Sequence, residues 1–165
     1  LQKLEEAAKI DPDNVGALML TGIMYEQNKD YPGARKAYES VLRINPAFAP
    51  AANNLAYIYS EYLNEPDKAL RLARSARENA PEDANVADTL GWVLYKMGNY
   101  QWALDLLRES AAKMPNNAEV QFHLGMTHYQ LGNSNEAKSA LNRALELDAK
   151  LRRAEEAKKA LAELP

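Results

Sequence analysis

Apolar residues fall at helical spacing in paired segments, each pair separated by a short polar stretch. Leu18, Thr21, Gly22 and Tyr25 occupy i, i+3, i+4 and i+7, one face of a helix. After QNKD, Ala34, Tyr38 and Val41 form a second such face. This two-helix phrase recurs along the chain. Proline returns at Pro12, Pro46, Pro81 and Pro115, at intervals of 34, 35 and 34 residues. Gly22, Ala56, Gly91 and Gly125 keep the same beat, and Ala34, Ala69, Ala103 and Ala137 follow at 35, 34 and 34. Together the markers place one inserted residue between Tyr59 and Ala69, in SEYLNEPDK. A period of this length is one supersecondary unit copied along the chain.

The polar breaks carry boundary signals. Asp30, Asn99 and Asn133 stand where an N-cap is wanted, and Asn64 or Glu65 does so before Pro66. Gly98 and Gly132 fit left-handed C-terminal caps. The recurring proline ends each second helix. The small residues at the helix crossings predict a close approach of two antiparallel helices, which a bulky side chain would prevent.

Unit positions 7, 8, 11, 20, 24, 27 and 32 read Thr21, Gly22, Tyr25, Ala34, Tyr38, Val41 and Pro46 in the first full unit. The third unit gives Leu90, Gly91, Leu94, Ala103, Leu107, Ser110 and Pro115. Over its whole length the chain thus resembles the tetratricopeptide repeat (TPR) family. The departures are Leu94 and His128 in the usual tyrosine position and Ala149 in place of the last proline. The last change predicts that the final second helix runs further than its predecessors.

The resemblance implies an all-α, right-handed α-solenoid of helix-turn-helix units forming a single domain over residues 1–165. Residues 1–14 would be the second helix of a truncated unit, with Leu4 and Ala7 on its packing face. Full units are expected at 15–48, 49–83, 84–117 and 118–149, and a capping helix at 150–165. Such an array would end near residue 165 and begin before residue 1.

In TPR proteins a partner segment lies in a concave groove lined by the first helices. The family's groove positions correspond here to Met19, Ile23, Asn53, Asn54, Tyr57, Asp88, Trp92, Tyr95, Phe122, Met126 and Tyr129. Trp92 and Tyr57 are the expected anchors, because aromatic residues within a polar rim are what binding surfaces usually show. The competing reading packs the same apolar stripe against neighbouring helices. Trp102, with Leu106 one turn on, is a candidate contact pair on the opposite, convex side. A carboxylate clamp of the kind that holds chaperone tails is disfavoured, since only Asn54 occupies a compatible position.

Composition narrows the choice. A net charge of −3 without a long basic run leaves no electrostatic footprint for nucleic acid. No apolar run is long enough for membrane insertion, and there is no cysteine. No catalytic motif and no metal or cofactor site is expected. His123 and His128 are five apart, about 140° around a helix, without further ligands. Arg71, Arg74 and Arg77 form a stripe that reads as a solvated face or a contact for an acidic partner.

The expected function is a non-enzymatic scaffold that binds a peptide or helix of a partner protein, within a larger bacterial protein. The alternative is a structural spacer or self-assembly module, with the truncated first unit as a homo-oligomer contact. AANNLA and DTLGW also resemble repeats of bacterial envelope TPR lipoproteins linked with exopolysaccharide export and protein sorting. That likeness implies a periplasmic or cell-envelope location, with a cytoplasmic one as the alternative.

Overall fold

The computed structural model describes residues 11–165. The half unit predicted at the start, including Leu4 and Ala7, lies almost wholly outside the described residues. Among these, nine helices and no strand are present: α1 (Val15–Gln27), α2 (Tyr31–Ile44), α3 (Ala49–Glu61), α4 (Pro66–Asn79), α5 (Ala84–Lys96), α6 (Tyr100–Lys113), α7 (Ala118–Gln130), α8 (Ser134–Leu147) and α9 (Ala154–Glu163). They fall into two compact units dividing after Pro81. In the first, hairpins α1/α2 and α3/α4 pack through α2 and α3. In the second, hairpins α5/α6 and α7/α8 pack through α6 and α7, and α9 lies on α8 and α7.

The two helices of a hairpin differ in how they are buried. Second helices are one-sided: α4 buries only Ala69, Ala73 and Ala76. By contrast, α5 buries the continuous run Thr89, Leu90, Gly91, Trp92, Val93 and Leu94, because packing surrounds it on several sides. The repeated small residue sits at the tightest crossing. A Cβ on Gly91 would meet Leu107 Cγ at 2.7 Å, and one on Gly125 would meet Leu141 Cγ at 2.7 Å. Leu107 and Leu141 are fully buried, each burial contributing about 1.5–3 kcal/mol. Glycine makes room for the side chain that holds the hairpin together.

The turns follow the predicted chemistry with local exceptions. Asp30 caps α2, its carboxylate accepting from Gly33 N–H at 2.9 Å. Asn99 and Asn133 occupy N-cap positions without a side-chain capping bond. Gly98 and Gly132 have φ of +80° and +74°, the left-handed conformation expected of them. The corresponding turns of the first unit use Lys29 (φ 59°) and Asn64 (φ 51°). Three of the four described first helices have side-chain caps, which the apolar pattern did not expose: Asn14, Asp83 and Asn117 each accept from a backbone N–H of the first turn, whereas Phe48 before α3 does not.

Replacing proline by Ala149 does not lengthen α8. The helix ends at Leu147, and Asp148 closes it with its N–H bonded to Ala144 O. An aspartate side chain accepting from Lys150 N–H at 2.9 Å supplies the turn that proline would have made. The capping helix accordingly starts at Ala154, burying Ala154, Ala157 and Ala160.

Candidate functional site

Within the first unit, the predicted groove residues come from α1 and α3 and remain accessible. Met19, Ile23, Asn53, Asn54 and Tyr57 are all half-buried. A hydrogen-bonded chain fixes the polar members. Asn53 Nδ2 donates to Asn54 Oδ1 at 3.5 Å, and Asn54 Nδ2 donates to the Tyr38 hydroxyl at 3.2 Å. Tyr38 in turn donates to Glu26 Oε2 at 2.5 Å. One buried hydroxyl on α2 therefore ties a carboxylate on α1 to an amide on α3.

This chain sets the local electrostatics. Burial raises the Glu26 carboxyl above its usual range, against the opposing effect of the Tyr38 hydrogen bond. Burial and the neighbouring Glu26 push the Tyr38 phenol well up, so it stays a donor. Tyr38 was not among the predicted site residues, and Glu26, which stands at a groove position of the repeat, was not counted among the candidate contacts. Tyr38 stood in a packing position of the repeat, and nothing in its sequence context distinguished a hydrogen-bonded hydroxyl from a buried ring.

In the second unit the predicted residues separate into two groups. Asp88, Tyr95 and Tyr129 are half-buried, whereas Trp92, Phe122 and Met126 are in the interior. Trp92, the expected anchor, is 1% exposed. Its ring stacks on His123 at 4.1 Å and on Tyr95 at 4.4 Å between centroids. The guanidinium of Arg153, just before α9, lies 5.0 Å from the Trp92 centroid and 5.9 Å from that of Phe122. Tyr129 donates to Glu163 and Lys138 to the Pro165 carbonyl, which fasten α9 over α7 and α8.

His123 is fully buried. Its Nδ1 lies 2.9 Å and 3.1 Å from the two Asp88 carboxylate oxygens. Its Nε2 is buried without a hydrogen bond and lies 3.9 Å from Glu119 Oε1. His128 occupies a different environment. Asn133 Nδ2, which can only donate, lies 3.1 Å from His128 Nδ1. Burial and then Arg108 hold this imidazole below its ordinary pKa. The two histidines do not converge, and among the described residues no group of three or more His, Cys, Asp or Glu is placed to hold a metal ion.

On the other side of the second unit, the candidate exposed pair does not form. Trp102 is 46% exposed, while Leu106 is buried at 9%. Four residues on a helix advance the face by about 40°, enough here to turn Leu106 into the core.

Residues 25–93 and 94–164 match the profile of a family described as "Tetratricopeptide repeat". Over 97 residues the chain is 26% identical to a TPR repeat-containing protein of Pseudomonas aeruginosa, a match covering 59% of this chain and 16% of that protein. The chain spans between 6% and 16% of the length of the curated relatives it matches. Among solved structures it is similar to PilW, a widely conserved type IV pilus biogenesis factor, with a TM-score of 0.76 and 22% identity. That match covers 97% of this chain and 79% of PilW. It is also similar to YrrB, a TPR protein with an unusual peptide-binding site, at a TM-score of 0.69 and 22% identity. This second match covers 94% of this chain and 80% of YrrB. Likeness at such identity speaks for the fold.

Proposed function

Since the chain belongs to the tetratricopeptide repeat family, we propose that it is a non-enzymatic protein-interaction scaffold holding a peptide or helix of a partner along its first-helix face. The contact centres on Asn53, Asn54 and Tyr57 of α3, with Met19 and Ile23 of α1 beside them. The observation that carries this reading is the fixed Asn54 amide, bonded on one side to Asn53 and on the other to Tyr38. A polar group held in one rotamer loses little further freedom when a peptide backbone meets it. Half-buried apolar neighbours supply the dehydrated contact that such a bond needs. The second unit has its own accessible first-helix residues, Asp88, Tyr95 and Tyr129, while its Trp92, Phe122 and Met126 are buried. YrrB, with its peptide-binding site, is a precedent within the fold.

The test places a photo-crosslinking amino acid at Tyr57 in the intact chain and identifies the captured protein by mass spectrometry. Asn54→Ala with Met19→Ala should reduce capture at least tenfold while helicity stays unchanged. Equal capture by the wild type and this variant would remove the groove from consideration.

The self-assembly reading is favoured by one feature, Leu20 on α1, which is 52% exposed beside the proposed contact. Light scattering over a concentration series distinguishes the two. A scaffold for another protein stays monomeric, and a self-assembling module gains mass with concentration.

A further inference from the structure

A second site lies on the first unit, away from the first-helix residues just described, in an open cleft of about 560 Å³ between α2, α3 and α4. Its apolar lining is Leu42, Leu55 and Leu72, and its cations are Arg43, Lys68 and Arg71. Leu55 is buried, Leu42 and Leu72 are half-buried, and the three cations are exposed. Glu39 is the single carboxylate of the lining, and it is already engaged. It accepts from the Tyr59 hydroxyl at 2.7 Å and lies 3.8 Å from Arg35 Nε. Burial and Glu39 push the Tyr59 phenol up to about 12, so this donor persists at neutral pH.

The second unit contains a control for this arrangement. Its equivalent cleft, two repeats further on, is lined among others by Arg108, Leu124, His128 and Arg143. There Glu136 stands in the place of Lys68, Ser139 in that of Arg71 and Ala140 in that of Leu72. Its lining holds two carboxylates, Glu136 and Glu146, beside two arginines, and Glu146 Oε2 lies 3.5 Å from Arg143 Nη1. The backbone repeat thus makes a cleft in both units, but side chains make only that of the first both greasy and cationic. A difference at matched positions is not a consequence of the repeat architecture.

We propose that the α2/α3/α4 cleft binds an acidic amphipathic segment of a partner protein, its apolar side chains on Leu42, Leu55 and Leu72 and its carboxylates against Arg43, Lys68 and Arg71. The charge complementarity selects an anionic ligand. The open shape selects a peptide over a free fatty acid, because small-ligand sites usually enclose most of their ligand, whereas a helix covers its own backbone. Lys68 is already paired, its ammonium 2.6 Å from Glu65 Oε2 and 5.3 Å from the Tyr59 ring centroid, so Arg43 and Arg71 carry most of the positive charge offered to the ligand.

The experiment measures fluorescence anisotropy of a fluorescein-labelled helical peptide, a leucine stripe flanked by glutamates, titrated with the intact chain. The expected result is saturable binding that weakens with added salt and at least tenfold in Lys68→Glu/Arg71→Glu. It should survive in Asn54→Ala/Met19→Ala, which separates this site from the groove, and in Arg108→Glu/Arg143→Glu at the matched cleft. Circular dichroism and thermal melting confirm that each variant folds. Should the Lys68 variant melt early, Arg43→Glu/Arg71→Glu, which changes only exposed arginines, decides instead. The proposal is overturned if the peptide does not bind, or if a lysine-for-glutamate peptide binds as well. It is equally overturned if the charge reversals leave the affinity intact, or if phosphatidylserine vesicles are captured in preference to the peptide.

Discussion

Asp88 and His123, 35 residues apart in the chain, meet through His123 Nδ1 at 2.9 Å and 3.1 Å from the two carboxylate oxygens. The carboxylate accepts, so Nδ1 carries the hydrogen and the ring is oriented to stack on Trp92. One polar contact between successive first helices thereby sets the geometry of the aromatic cluster in the second unit. Asp88→Ala strands a buried donor and should cost about 1–3 kcal/mol. In a urea-denaturation cycle with His123→Leu, the double variant should be more stable than the sum of the single losses predicts, by about 1 kcal/mol. Strict additivity would show that the pair is energetically idle.

The helix crossings give a second expectation. Gly91→Ala and Gly125→Ala place a Cβ 2.7 Å from a buried leucine and should each destabilise by about 1–3 kcal/mol. Lys29→Gly relieves a lysine held at φ 59° and should stabilise by about 0.5–1 kcal/mol. Denaturation midpoints that move the same way for all three would contradict this assignment.

Glu26 carries a pH dependence of stability. Its folded pKa lies above the unfolded value of 4.5, so the folded state binds the extra proton. Its contribution is fully present below pH 4.5 and is lost as pH rises through the raised pKa. Glu26→Gln keeps an acceptor for Tyr38 without the buried charge. It should be more stable than the wild type near pH 7, with the advantage shrinking toward pH 4. Thermal melts across that range test the sign.

His128 works in the opposite direction. Its folded pKa is below the unfolded 6.5, so the unfolded chain takes up the proton first and acidification destabilises the fold. The loss begins as pH falls through 6.5 and levels off below the depressed folded value. His128→Gln cannot titrate and retains an acceptor for Asn133, so it should lack this component. Parallel pH profiles for the two proteins would exclude His128 as its source.

Much of the fold was legible because a period of 34 residues reports packing directly. Each recurring small residue marks a crossing such as Gly91 against Leu107, and that geometry repeats whatever its neighbours are. Asp30, Gly98 and Gly132 were readable for a related reason, since caps and left-handed turns depend on the residue itself. Lys29 escaped notice because its left-handed conformation is imposed by the turn rather than favoured by lysine.

The candidate site was less legible. Position in the repeat assigns a residue to the first-helix face, and it did so for Asn54 and Trp92 alike. It does not tell what covers that face. The sequence by itself determined the helical hairpins, their register and the family. Only the tertiary structure decided that Asn54 is pinned by Tyr38 and accessible, while Trp92 is enclosed by His123, Tyr95 and Arg153. Helical period is a local property carried by successive residues. Burial is a property of the neighbours that folding brings from elsewhere in the chain, here from a residue sixty-one positions beyond Trp92.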